Sequence, residues 1–365
     1  MQDHALIATR KGLFEVYRHE GSWRIDPPSF LAEPVSMMLS DRRDGSVYAA
    51  LNLGHFGVKL HRRDKGAEAW TEIAVPAYPP QPEDRKDDVE WKLKVIWSLA
   101  AGGPDEPGVL WAGTLPGGLF RSRDRGESWD LIHSLWDLPQ RREWNGGGFD
   151  QPGIHSICVD PRDSRHLTIG VSTGGVWVTR DGAASWTLSA KGMRAEYMPP
   201  DLAYEQNAQD AHLIAQCTAA PDVLWCQHHN GIFRSTDASA SWHEIVKGTP
   251  GLVSVFGFAV AAHPQDPLTA WFVPAVKDEK RIPVDAALSV SRTSDGGKTF
   301  TALRAGLPQQ NCYDLIYRHG LAVSDDGKVL LMGSTTGNLW VSENGGDDWQ
   351  QLSANLPPIY AVGFM

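Results

Sequence analysis

Cysteine is scarce in this chain, with four in 365 residues, and none of Cys158, Cys217, Cys226 and Cys312 has the spacing of a metal finger. Cys158, Cys217 and Cys226 fall in strand-like apolar tracts, where a free buried thiol is the default. Cys217 and Cys226 would face each other on paired strands, which leaves a disulfide between them open. No basic block offsets the net charge of −10, which argues against nucleic acid or an acidic membrane as the main partner. No apolar run approaches membrane-spanning length. The start, "MQDHALIATR", lacks the basic and apolar regions of a secretory signal, so the expected location is cytoplasmic. A nucleotide-phosphate loop, a G-x-S-x-G elbow and an H-E-x-x-H motif are also missing. The glycine-rich "TLPGG" (114–118) and "NGGG" (145–148) have no strand–loop–helix setting and read as turns.

What is abundant is Trp, at 15 residues, within an ordinary globular composition of 42% apolar and 21% charged residues. Several of these Trp close copies of one motif: "GGLFRSRDRGESW" (117–129), "GGVWVTRDGAASW" (174–186), "NGIFRSTDASASW" (230–242) and "GNLWVSENGGDDW" (337–349), with a looser "LSVSRTSDGGKTF" (288–300). The aligned residues Asp124, Asp181, Asp237, Asp295 and Asn344 are 57, 56, 58 and 49 positions apart. A motif at such a period marks one supersecondary unit used repeatedly. Before each copy come two β-rich runs separated by a Pro/Asp turn, as in "IHSICVDPRDSRHLTIGVS" (154–172), and the motif supplies a third and a fourth strand. Four antiparallel strands per unit describe a propeller blade. The double glycine is expected to give positive-φ freedom at the turn into the third strand. The Asp should accept bonds from nearby backbone N–H groups, and the Trp should pack between neighbouring blades.

These motifs resemble the Asp-box, or BNR repeat, shared by sialidases, two-propeller xyloglucanases, sortilin-type domains and photosystem II stability/assembly factors. Across those families the box is a structural turn, so the resemblance implies architecture before activity. Counting units gives seven. The five clear copies belong to blades 3 to 7, and "SMMLSDRRDGSVYAALNLGHFGVKLHRRDKGAEAW" (36–70) is a degenerate blade 2. Near the N-terminus, "ALIATRKGLFEVYRHEGSW" (5–23) holds three strands, and "IYAVGF" (359–364) is the candidate for the missing inner one. The expectation is an all-β, single-domain, seven-bladed propeller over 1–365, with blade 1 made of 4–26 plus 359–365.

Blade connectivity sends links between blades, and turns between second and third strands, to a top face opposite the Asp turns. The long segments 74–93, 133–153, 189–211 and 273–287 all fall there, and loops this long in a compact repeat are usually functional. They carry the polar and aromatic residues of a small-ligand mouth. Trp144, Asn145, Lys277, Arg281 and Asn311 are the expected substrate contacts. A sialidase implies an arginine triad and a Tyr nucleophile beside Glu. The early Arg-Ile-Pro element of that family is absent, and Arg281-Ile282-Pro283 lies in blade 6, the wrong place. The xyloglucanases place two aspartates between two propellers, and one propeller is read here. Five histidines, His55, His155, His212, His228 and His229, fall on top turns or inner-strand starts. His155, His228 and His229, with Tyr197, Tyr313 and Glu196, are the expected catalytic set, and His55, His155 and His229 the expected ligands should a divalent metal be bound. The expected activity is hydrolysis or elimination on a small polar, carbohydrate or anionic substrate. The alternative is a non-catalytic scaffold that binds a protein or peptide.

Overall fold

The computed structural model describes residues 2–83, 89–146 and 150–365. Its strands form seven four-stranded sheets, each a run of antiparallel neighbours, and the protein is a seven-bladed β-propeller. Blade 1 combines Ile359–Phe364 with His4–Thr9, Gly12–His19 and Ser22–Ile25. The C-terminal strand closes the ring as expected, with Val362 opposite Ile7 and Ala361 opposite Ala8. Blade 5 runs Ala211–Gln216, Leu224–His228, Gly231–Ser235 and His243–Ile245, and blade 6 runs Gly257–Ala262, Ala270–Pro274, Val290–Thr293 and Thr301–Leu303. Among the described residues no helix is long and apolar enough to cross a membrane. The chain divides into two compact units, Met1–Val35 with His212–Met365, and Ser36–Ala211.

The burial pattern explains the sequence. Middle strands such as Leu110–Leu115 and Leu167–Val171 are buried at every position, because both faces of a blade are covered. Fourth strands such as Asp130–Leu131 and Thr187–Leu188 are short and half-exposed. In the first unit, Trp271, Trp340 and Trp349 share a core with Leu303, Leu330 and Met332. In the second, Trp111, Trp144 and Trp177 pack with Ile154, Leu167 and Ile169.

The repeated turns behave as their chemistry requires. In blade 4, Thr179 Oγ1 donates to Asp181 Oδ1 at 2.8 Å, while the Ser185 N–H and hydroxyl donate to Oδ1 and Oδ2 at 2.9 and 2.6 Å. The Ser185 hydroxyl, then its N–H and the Thr179 hydroxyl, hold the Asp181 carboxyl down to about 2. Blades 3 and 5 repeat these contacts at Asp124 and Asp237. The Trp that ends the copy reaches a neighbouring segment in blades 3 and 4: Trp129 Nε1 donates to Ala74 O at 3.0 Å and Trp186 Nε1 to Ser134 Oγ at 3.2 Å.

Two expectations need correction. The reversal in the Asp turn uses two successive left-handed residues, and non-glycines fill several of them: Arg125, Ala183, Ala238 and Ser239. The first glycines of the motif are not all there for positive φ. Gly118 has an ordinary φ, but a Cβ on it would stand 2.3 Å from the Tyr78 hydroxyl oxygen, so close approach fixes it. No disulfide joins any of the four cysteines, Cys217 and Cys226 included.

Candidate active site

The long segments expected at the link end of the blades are there: 74–94, 132–153, 189–210 and 275–289 separate consecutive strands. At that end of blade 5, Asp210 precedes the inner strand and His212 is its second residue. Residues two apart on an extended chain share a face, so the Asp210 and His212 side chains emerge together. The second and third strands are joined by the two-residue turn His229–Asn230, which puts His229 at a hairpin tip. One ligand atom from each of Asp210, His212 and His229 lies within 4.8 Å of the others. Asp210 and His212 are 3% and 2% exposed.

Blade 6 builds the wall behind them. The His212 ring stacks on Phe258, with centroids 4.5 Å apart and planes within 8°, and it meets the edges of Phe256 at 6.0 Å and His229 at 5.3 Å. Its Nδ1 lies 2.7 Å from Gly257 O. A carbonyl only accepts, so Nδ1 carries the proton and Nε2 of the neutral ring keeps its lone pair. The Arg281 and Arg318 guanidinium carbons lie 5.3 and 5.6 Å from the Phe258 ring centroid, and Tyr317 meets the same ring at 5.0 Å. Arg281 is oriented by Asp278 at 2.5 Å and donates to the Tyr317 hydroxyl at 3.5 Å. The result is a buried carboxylate and two imidazoles against an aromatic wall, with two cations beside it.

Of the expected site residues, this cluster brings together His229 and, beside it, His212, with Arg281 near the same wall. Among the described residues, the group with His229 that could hold a metal ion is Asp210 and His212, not His55 and His155. His55 sits on an exposed turn, 3.9 Å from the Phe56 ring. His155 is fully buried, with Nδ1 2.9 Å from Ser156 Oγ and Trp97 against its ring, so it has no surface to offer a substrate. His228 is also fully buried, with its ring against Phe233 at 5.2 Å. It ends a strand, whereas His229 occupies the tip.

Tyr197 stands beside the cluster, but its hydroxyl donates to Ala208 O at 2.6 Å. Desolvation of that hydroxyl and then the Asp210 charge push its ionisation well up, although 43% of the residue is exposed. Glu196 is an exposed partner of Arg194 at 2.8 Å. Tyr313 and Asn311 are exposed, the latter with φ of 53°. Trp144 is buried and donates to Asn207 Oδ1 at 3.0 Å, which makes it a core residue instead of a substrate contact. Its neighbour Asn145 is exposed and donates its N–H to Thr173 O. Lys277 pairs with Glu279 at 3.2 Å. Backbone N–H and Lys277 contacts, with His229 adding, hold that carboxyl below its ordinary range.

Two other charged clusters are structural. Asp314 is buried and accepts from Ser334, Thr336 and Asn338. Burial pushes its carboxyl up, and those hydrogen bonds outweigh it. A cavity of about 460 Å³ at the Asp-turn end of blades 2 and 3 is lined by Asp41, Arg43, Asp44 and Arg125, whose charges pair with one another.

No described protein family matches the chain. A probable oligoxyloglucan-reducing end-specific xyloglucanase of Neosartorya fischeri is 25% identical over 284 residues, which is 70% of this chain and 32% of that protein. The chain thus spans about a third of the length of that curated relative. Among solved structures, the GH74 xyloglucanase from Xanthomonas campestris aligns with TM-score 0.63 at 17% identity, covering 100% of this chain and 52% of that one. YCF48 bound to a D1 peptide aligns with TM-score 0.54 at 14% identity, covering 87% and 81%. The structural likenesses show the fold alone.

Proposed function

We propose that the protein is a glycosyl-hydrolase-like enzyme of the Asp-box propeller type. It acts by hydrolysis or elimination on a small polar substrate, carbohydrate or anionic, at the link end of blades 5 and 6. The convergence of Asp210, His212 and His229 carries this proposal. A turn or core histidine has no need of a second imidazole and a buried carboxylate aimed at the same point, whereas activation of water or uptake of a substrate proton does. Phe256 and Phe258, themselves buried, back the His212 and His229 rings, and Arg281 supplies a cation to orient an anionic group. The weak relationship to xyloglucan-cleaving proteins supports a carbohydrate substrate without naming one.

The test is turnover of a panel of glycosides and uronides, followed as new reducing ends for hydrolysis and as an unsaturated-product chromophore for elimination. We expect one class to be cleaved, and His229→Gln to lose at least about 100-fold in kcat/KM with an unchanged melting temperature. Unchanged turnover in His229→Gln, or no turnover of any class, would refute the proposal. A peptide-binding role is the second reading, supported by the alignment with YCF48 in its complex with a D1 peptide. Saturable peptide binding without turnover is the result that would favour it.

A further inference from the structure

We infer that Asp210, His212 and His229 form a binding site for one divalent transition-metal ion of the Zn²⁺ type, with open coordination positions for water or substrate. The inference concerns the same side chains as the proposed activity but stands on their geometry, not on turnover.

Three features of the cluster point to a metal. First, the donor set of two imidazoles and one carboxylate suits a borderline ion and disfavours Mg²⁺ and Ca²⁺, which take mostly oxygen ligands. Three protein ligands are also what sites with a free position use. Second, the atoms are nearly at coordination distance. Ligands around a tetrahedral ion at about 2.0–2.1 Å stand roughly 3.3–3.4 Å apart, and here they lie within 4.8 Å of one another. His229 is the half-buried member, on a two-residue hairpin tip, and is the side chain whose adjustment an ion would require. Third, His212 is held as metal-ligating histidines are. Its Nδ1–H donates to Gly257 O at 2.7 Å, its plane is pinned on Phe258, and its remaining lone pair is on Nε2. That hydrogen bond fixes the ring and its tautomer before any ion arrives.

The site is then a Lewis acid beside Arg281. A water on the ion would lose its proton far more readily than free water, and the resulting hydroxide could attack an acetal or acyl carbon. As the new C–O bond forms, the bond from that carbon to the leaving oxygen would break and the proton released from water would pass to that oxygen, so the step needs no oxidant or reductant.

The experiment is calorimetric titration of ZnCl₂ into tag-free full-length protein that has been stripped with chelator. Wild-type protein should bind one Zn²⁺ saturably, and MgCl₂ should give no heat. His212→Ala, His229→Ala and Asp210→Asn should each weaken Zn²⁺ binding by more than about 100-fold, since even a partner behind a metal ligand is worth about 10–100-fold. His243→Ala, on the exposed outer strand of the same blade, should leave the affinity unchanged. Absence of saturable binding in the wild type, or equal affinity in all three ligand variants, would overturn the inference. Should a variant fail to fold, Co²⁺ added to the wild type decides: intense visible ligand-field bands of a low-coordinate histidine site support the inference, and only the spectrum of hydrated Co²⁺ refutes it. A protein that binds Zn²⁺ but turns nothing over leaves the metal site standing and removes only the proposed activity.

Discussion

Phe364→Ala probes the closing strand at a single side chain. Ile359, Ala361, Val362 and Phe364 are 2, 1, 6 and 7% exposed, and Ile359, Val362 and Phe364 pack into a core with Ala5, Ile7, Val16 and Leu331. Truncating a buried Phe to Ala costs about 3–5 kcal/mol, the transfer term plus the cavity left behind. In a large domain each kcal/mol moves Tm by about 2–4 °C, so the variant should melt roughly 6–20 °C below wild type. Tyr360 lies in the same strand but is 38% exposed. Its truncation should cost no more than about 1 kcal/mol. Deleting 359–365 is a larger perturbation. It removes the buried Ile, Val and Phe, worth about 1.5–3 kcal/mol each, and opens the His4–Thr9 edge that now pairs with Ile359–Phe364. A loss of about 5–9 kcal/mol approaches the entire stability of a typical domain, so the truncated chain should aggregate on expression. Scanning calorimetry with gel filtration reads all three proteins. Equal small shifts for Phe364→Ala and Tyr360→Ala, or a monodisperse deletion with the wild-type Tm, would refute closure by this strand.

Acid should undo the Asp turns. Asp181 and Asp295 are held down to about 2, the first chiefly by the Ser185 hydroxyl and the second by the Thr299 N–H. A carboxyl whose folded value lies below its unfolded one contributes stability above the unfolded value and loses it as pH falls through the folded value. Tm should therefore be flat from neutral pH to about 4.5 and fall between about 4 and 2; a steep loss already between pH 7 and 5 would contradict this. Blade 7 offers a contrast, because Asn344 Nδ2 donates to Asp348 Oδ2 at 3.1 Å. Asn344→Asp should bring its carboxylate against that of Asp348, lowering Tm at pH 7 by a few degrees and recovering near pH 4, as a pH series of melts would read. A shift independent of pH would point to something other than charge.

The fold was legible because a blade must end in a chemically demanding turn, and the Asp, hydroxyl and Trp of that turn recur where apolar alternation alone would be ambiguous. Closure was legible from three strands near the N-terminus and an orphan strand near the other end. The left-handed Ala238 and Ser239 were not, since surrounding hydrogen bonds hold a conformation that neither residue prefers. At the site, His229 could be singled out as a turn residue, and His212 stood among the strand-start histidines. Asp210 was missed, although the signal was present: Asp-x-His at the head of an inner strand places both side chains on one face. His228 and His155 misled because adjacency in sequence says nothing about which side of a strand is packed. In a blade covered on both faces, polar residues are buried as readily as apolar ones, provided that a Ser, a backbone group or an aromatic edge receives them.

The most direct measurement is anomalous X-ray scattering at the zinc edge from crystals of the tag-free protein grown with stoichiometric Zn²⁺. It should give one strong peak bounded by His212 Nε2, a ring nitrogen of His229 and a carboxylate oxygen of Asp210. Density bridging only surface groups elsewhere, with these three side chains unmoved and no peak between them, would contradict the assignment of this cluster as the functional centre.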